Sequence, residues 1–238
     1  MDGLKKVVAY KAVDEYVQSN MTIGLGTGST VFYVLERIEA LMKSGKIKNL
    51  VCVPTSIDTE IKAKSLGIPL TGLTKNLKID IAIDGADEVD NDLNLIKGRG
   101  GALVREKLVA ANTACFIIIV DESKMCEDGL GTTGAVPIEI LSFGYEMIIE
   151  NLLKISALKN CTYKLREKDG EIFITDNNNY IVDFFFENPI ENLVQTCEQI
   201  KMTTGVVDHG IFANMASIAL ISKANGTILT LNKSKEIN

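Results

Sequence analysis

The 238-residue chain contains a single histidine, His209, and that scarcity removes most histidine-dependent chemistry. A Ser-His-Asp arrangement would rest on that one imidazole, and no close Cys/His grouping suggests zinc, so His209 reads as a packing or turn residue. Paired cysteines are also missing. Cys52, Cys115, Cys126, Cys161 and Cys197 are odd in number and form no Cys-x-x-Cys, which is the pattern of reduced thiols. Positive charge is in deficit: 25 Lys and Arg face 31 Asp and Glu, a net charge of −6 that argues against general affinity for nucleic acid. An acidic small molecule would need a local basic pocket. No long apolar run occurs either. The strongest, Ala114 to Val120, is strand-length and too short to cross a bilayer as a helix. Met1-Asp2-Gly3-Leu4-Lys5-Lys6, followed by Tyr10, Lys11, Asp14 and Glu15, does not read as a secretory signal. A cytoplasmic protein with no membrane partner is expected.

A hydrophobic fraction of 46% supplies an ample core for one large domain, or for a large and a small one. Helical periodicity over Lys5 to Val17 precedes a strand at Thr22 to Leu25, a glycine turn, and a helix from about Thr30 to the stop at Ser44-Gly45. Further strands are predicted at Leu50 to Val53, Ile79 to Ile83 and Cys115 to Val120, with helices at Ile57 to Leu66 and Leu103 to Ala111 between them. Such alternation predicts an α/β fold: a Rossmann-like parallel sheet covered by helices on both faces, with ligands at the carboxyl ends of its strands. After about Asp128 the texture changes. Strands at Cys161 to Arg166, Glu171 to Thr175 and Tyr180 to Phe186 are separated by turns at Asp169-Gly170 and Asn177-Asn178-Asn179. Helices at Gly144 to Leu153 and Ile190 to Met202 would cover them, giving a smaller α+β (ferredoxin-like) domain over 129–205. Residues 1–128 and 206–238 would form the large catalytic domain, with Val206, Val207 and the segment from Ala216 to Leu231 returning to it.

Chemistry is concentrated in two places. The turn Gly26-Thr27-Gly28-Ser29-Thr30 combines glycines, hydroxyls and a helix N-terminus, a set suited to gripping phosphate. A simpler reading is a tight connection capped by Ser29 or Thr30. No G-x-x-x-x-G-K-[ST] or G-x-G-x-x-G spacing occurs, so ATP and NAD are not expected. The second block holds Asp84-Gly85-Ala86-Asp87-Glu88, then Lys97-Gly98-Arg99-Gly100-Gly101-Ala102, then Glu106. Carboxylates and an ammonium separated by glycines suit proton transfer on a small polar substrate. Taken singly, these acids could be solvated turn residues, Lys97 a surface lysine, and Glu106 a first-turn helix glutamate. A calcium loop opening at Asp90 fails on spacing, because Leu95 and Gly101 stand where glycine and glutamate are required, and no metal is expected.

Together these motifs resemble the A-type ribose-5-phosphate isomerase family. The resemblance extends to Val120-Asp121-Glu122-Ser123-Lys124, Gly134-Ala135-Val136-Pro137-Ile138-Glu139 and Gly205-Val206-Val207, and so runs nearly end to end. It implies interconversion of ribose 5-phosphate and ribulose 5-phosphate through an enediolate, in the non-oxidative pentose phosphate pathway. By resemblance Glu106 is the base, Lys97 stabilises the enediolate, Asp84 assists ring opening and Asp87 holds sugar hydroxyls. Thr27, Gly28, Ser29 and Thr30 would grip phosphate, Lys124 would add positive charge, and Gly85, Ala86, Gly98, Arg99 and Gly100 would line the substrate. Arg99 departs from the family, which often has glycine there; it could contact substrate or point to solvent. The resemblance implies a homodimer or homotetramer acting on a sugar phosphate without cofactor. Competing functions are a related phospho-sugar isomerase or deaminase, a CoA transferase using a glutamate as nucleophile, and a non-catalytic sugar-phosphate sensor.

Overall fold

The computed structural model describes residues 2–233. In chain order its elements begin with α1 (Asp2–Tyr16), β1 (Thr22–Leu25), α2 (Ser29–Lys43), β2 (Val51–Pro54), α3 (Ile57–Ser65), β3 (Ile79–Asp84), β4 (Glu88–Val89), β5 (Leu95–Ile96), α4 (Leu103–Ala111) and β6 (Thr113–Asp121). A 3-10 turn at Glu122–Lys124 leads to β7 (Val136–Ile140), α5 (Tyr145–Leu152), β8 (Thr162–Leu165), β9 (Glu167–Lys168), β10 (Glu171–Ile172) and β11 (Tyr180–Phe185). The chain closes with α6 (Leu193–Lys201), β12 (Val206–His209), β13 (Ile211–Phe212), β14 (Ile218–Ser222) and β15 (Ile228–Asn232). Two compact units result: Met1–Ala86, Arg105–Met125 and Asn214–Asn238 form the first, and Asp87–Val104 with Cys126–Ala213 form the second.

The first unit is built on a six-stranded sheet in the order β15-β14-β6-β3-β1-β2. All neighbours are parallel except β14 and β15, which are joined as an antiparallel hairpin through Asn225 and Gly226. The α/β reading is correct, and side-chain alternation shows why both faces are covered. Ile23, Leu25, Ile81, Ile83, Ile117 and Ile119 point to one face, where they share a core with Val8 and Val13 of α1 and Val34, Leu35 and Ile38 of α2. On the other face Gly24 and Ala82 lie beneath α4: a Cβ on Gly24 would stand 2.5 Å from Val109 Cγ1 and 2.8 Å from Ala82 Cβ. Small residues here let α4 sit close against the sheet. Among the described residues no helix is long and apolar enough to cross a membrane.

The second unit carries an antiparallel sheet in the order β12-β7-β11-β8, with α5 between β7 and β8 and α6 between β11 and β12. That β-α-β-β-α-β succession is ferredoxin-like. Its core joins Ile138 and Ile140, Val182 and Phe184, Ile148, Ile149 and Leu152 of α5, and Ile200 of α6. β9 and β10 form a hairpin whose turn residues Asp169 and Gly170 both have positive φ, 55° and 84°, as a type I′ turn requires. β13, β5 and β4 make a separate small sheet.

Some expectations differ from this fold. The strand predicted at Glu171 to Thr175 ends at Ile172, because Thr175 turns inward and its hydroxyl donates to Glu139 Oε1 at 3.0 Å. Val206 and Asp208 pair with β7, with an irregularity at Val207 between them, and Val206 and Val207 lie in the second unit. Residues 87–104 also fall in that unit rather than in the large domain, since β4 pairs with β5 and β5 with β13.

Replacing Gly24 with alanine is expected to destabilise the protein by about 1–3 kcal/mol through overpacking, measured by denaturant unfolding; unchanged stability would contradict the close approach of α4. Burial pushes the Cys52 thiol up to about 12. Iodoacetamide at pH 8 should therefore leave Cys52 unmodified in the native protein and label it after unfolding, as read by peptide mass spectrometry.

Candidate active site

Because β1, β2, β3 and β6 run parallel, their carboxyl ends share one edge of the first unit. The loops there hold Thr27 and Gly28, Thr55 and Ser56, Gly85 and Ala86, and the turn ending at Lys124. Asp84 closes β3 and is only 2% exposed. A carboxylate so withdrawn from water needs donors, and its Oδ1 accepts from Thr27 N at 3.1 Å and Gly85 N at 2.8 Å. Gly26 makes the approach possible: a Cβ there would stand 2.0 Å from Asp84 Oδ1. The β1 and β3 loops are thus locked together.

The turn is further buttressed by hydroxyls. Thr27 Oγ1 meets Thr55 Oγ1 at 2.9 Å, and Thr59 Oγ1 donates to the Gly26 carbonyl at 2.8 Å. Ser56 caps α3, accepting from Thr59 N at 3.0 Å. Thr59 was not singled out from the sequence, since nothing short of the fold brings it to Gly26. Neither Ser29 nor Thr30 caps α2: the N-cap is Gly28, at φ 112°, with no side-chain cap. The first N–H groups of α2 consequently lack intrahelical acceptors and present partial positive charge. Ser29 is exposed, and its Oγ accepts from Lys5 Nζ at 2.9 Å. Lys5 is a second residue missed in the sequence, placed at the turn by α1. Thr30 is half-buried in the first turn of α2, and Lys124 is half-buried at the end of the 3-10 turn, where Asp121 accepts from Ser123 N at 3.0 Å. Glu106 lies in the first turn of α4 and is 5% exposed, unlike the solvated glutamate its position alone would suggest.

The second unit carries Asp87, Lys97, Gly98, Arg99 and Gly100. Lys97 is no surface lysine: it is 2% exposed, with Nζ 5.7 Å from the centre of the Phe212 ring and its N–H donating to the Gly210 carbonyl at 2.8 Å. Gly98, at φ 94°, leaves room for Leu103, whose Cβ would lie 2.5 Å from a Cβ at that position. Asp87 Oδ2 accepts from Arg99 N at 3.0 Å. The Arg99 guanidinium binds the unit's own groups: Glu88 Oε1 at 2.5 Å, the Ala135 carbonyl at 3.0 Å and Thr133 Oγ1 at 3.3 Å. Fully buried Glu88 also accepts from Gly131 N at 2.6 Å and from Thr133 N and Oγ1 at 3.1 and 2.6 Å. Saturated with donors, it is a structural acid.

Asp90 serves a hairpin, its Oδ1 accepting from Asp92 N at 3.0 Å and Asn94 N at 2.8 Å. His209 is the last residue of β12, buried and paired with Ile138 of β7. Its Nδ1 accepts from Ile211 N at 3.3 Å.

Gly26→Ala should displace Asp84 and abolish function while leaving a folded chain by circular dichroism; retained function would contradict the lock. Arg99→Met should lower unfolding free energy by about 1–3 kcal/mol, because it strips one donor from buried Glu88. Unaltered denaturant midpoints would show that the remaining donors suffice.

Residues 51–226 match the family model of ribose 5-phosphate isomerase A (phosphoriboisomerase A). The chain is 75% identical over 236 residues to ribose-5-phosphate isomerase of Plasmodium falciparum, covering 99% of this chain and 100% of the relative. A solved ribose 5-phosphate isomerase from Plasmodium falciparum superposes with TM-score 0.98 at 75% identity, over 98% of this chain and 100% of that one. A solved D-ribose-5-phosphate isomerase in complex with phospho-erythronic acid gives TM-score 0.90 at 38% identity, over 97% and 98% of the two chains.

Proposed function

This chain belongs to the ribose 5-phosphate isomerase A family, and on that premise we propose that it interconverts D-ribose 5-phosphate and D-ribulose 5-phosphate through an enediolate, with Glu106 as the base. What most supports this is the burial of Glu106 and Lys97, 5% and 2% exposed. Withdrawing a carboxylate and an ammonium from water costs several kcal/mol per ion, a penalty that catalysis explains better than stability does.

Moving a hydrogen between adjacent carbons requires a base, a stabiliser of the developing oxyanion and an anchor for the rest of the substrate. Glu106 removes the carbon-2 proton of the open-chain aldose and returns it to carbon 1, while Lys97 and backbone N–H groups near it stabilise the enediolate. Asp84 assists opening of the furanose ring, and Asp87 holds sugar hydroxyls. The Thr27-to-Thr30 turn grips phosphate through the α2 N-terminus, with Lys5 and Lys124 adding charge. Phospho-erythronic acid, the ligand of the relative, pairs a phosphate with a carboxylate, and an enediolate phosphate likewise bears negative charge at both ends. Isomerisation leaves the substrate's overall oxidation level unchanged, so the reaction needs no redox cofactor. This activity belongs in the non-oxidative branch of the pentose phosphate pathway.

A coupled assay in chelator-treated buffer should show conversion of ribose 5-phosphate to ribulose 5-phosphate; activity that disappears only on chelation would overturn the metal-free scheme. Glu106→Gln should lower kcat by roughly 10²–10⁴ with the fold intact, and near-normal turnover would sink the assignment. Ser29→Ala and Lys5→Met should raise KM with kcat largely kept, the signature of lost uniform binding. If either shifts only thermal stability, the turn is a structural connection.

A further inference from the structure

The loop from Lys97 to Gly101 is held from one side by a residue that the scheme above does not use. Arg166 follows β8 in the second unit, and its guanidinium is braced by Asp183 of β11, with Nε donating to Asp183 Oδ2 at 2.8 Å and Nη2 bonded to Oδ1. Its Nη1 donates to two consecutive main-chain carbonyls, Gly98 O at 3.0 Å and Arg99 O at 3.1 Å. Phe173 completes the support. Its N–H donates to the Arg166 carbonyl at 2.8 Å, its ring lies 5.8 Å from the guanidinium carbon, and a Cβ on Gly101 would meet its Cζ at 2.5 Å.

A trans peptide points its N–H opposite to its C=O. Pulling the Gly98 and Arg99 carbonyls toward Arg166 therefore turns the next N–H groups, those of Arg99 and Gly100, the other way. For Arg99 this is visible, since its N–H donates to Asp87 Oδ2 at 3.0 Å. Gly100 is an exposed residue whose N–H takes the same sense and meets no acceptor among the described residues. We infer that Arg166, braced by Asp183, is a positioning residue that fixes the Lys97–Gly101 loop so that the Gly100 N–H is presented, on the Asp87 side, as a donor to the enediolate oxygen. This rests on the isomerase reading and deepens it. A preset donor needs no reorganisation as charge develops, which is where such groups lower barriers most.

Arg166→Lys keeps a cation but cannot hold Asp183 with two bonds and two carbonyls at once. It is expected to lower kcat by about 10²-fold, the scale of a misplaced catalytic group, with little change in KM. Inhibition by phospho-erythronic acid should weaken in step with kcat/KM, whereas inhibition by inorganic phosphate should not move. Asp183→Asn, which loosens the brace without removing it, should show the same pattern more weakly, and it decides the matter if Arg166→Lys does not fold. Wild-type kcat in the folded variants would overturn the positioning role, as would equal weakening of phosphate and phospho-erythronic acid, the mark of general structural loss. A wild-type protein that fails to isomerise ribose 5-phosphate would sink both readings; an active one with unaffected variants sinks only this one.

Discussion

The contact between Asp84 and the Gly26-Thr27 turn is the constraint on which the first unit's chemistry depends. A carboxylate 2% exposed at the end of β3 is held by the Thr27 and Gly85 N–H groups, and Thr27 can reach it because residue 26 has no side chain. One interaction thereby sets the acid and the Gly26-to-Thr30 turn relative to each other. The parallel sheet supplies the frame, since β1 and β3 are neighbours in register and their loops leave from the same edge. Thr55 and Thr59 hold the turn from below, which leaves the α2 N-terminus open instead of capped by its own hydroxyls.

Buried carboxylates in the second unit do different work. Glu88 collects donors from Arg99, Gly131 and Thr133; Glu139 collects them from Thr175, Asn177 and Asn179; and Asp183 binds Arg166. Each ties together segments distant in sequence through the hydrogen bonds it accepts. Fully buried Glu88 is held by groups of its own unit. This separates Glu88, which sits in the same sequence block as Asp84 and Asp87, from the residues assigned to catalysis. Arg99 belongs with the structural group, since its guanidinium donates to buried Glu88.

Much of this was legible in the sequence, for identifiable reasons. The alternation of apolar strands and amphipathic helices through Val120 fixes an α/β sheet, and the Asp169-Gly170 turn announces its hairpin because both residues tolerate positive φ. What escaped were features whose partners are remote. β4, β5 and β13 are two-residue strands with no periodicity to detect, and β13 pairs with β5 across more than a hundred residues of chain. Lys5 reads as one of many helix-surface lysines until α1 brings it to Ser29. Thr175 ends its predicted strand early because Glu139, far back in the chain, competes for it. The side-chain partners of Arg99 could not be assigned without the loop at 131–135.

Isomerisation of ribose 5-phosphate in D2O, followed by proton NMR, tests the central claim most directly. If Glu106 carries the proton through an enediolate, solvent deuterium should enter carbon 1 of ribulose 5-phosphate and exchange at carbon 2 of ribose 5-phosphate. Both should collapse together in Glu106→Gln. Exchange that continues at the wild-type rate in Glu106→Gln would contradict the account.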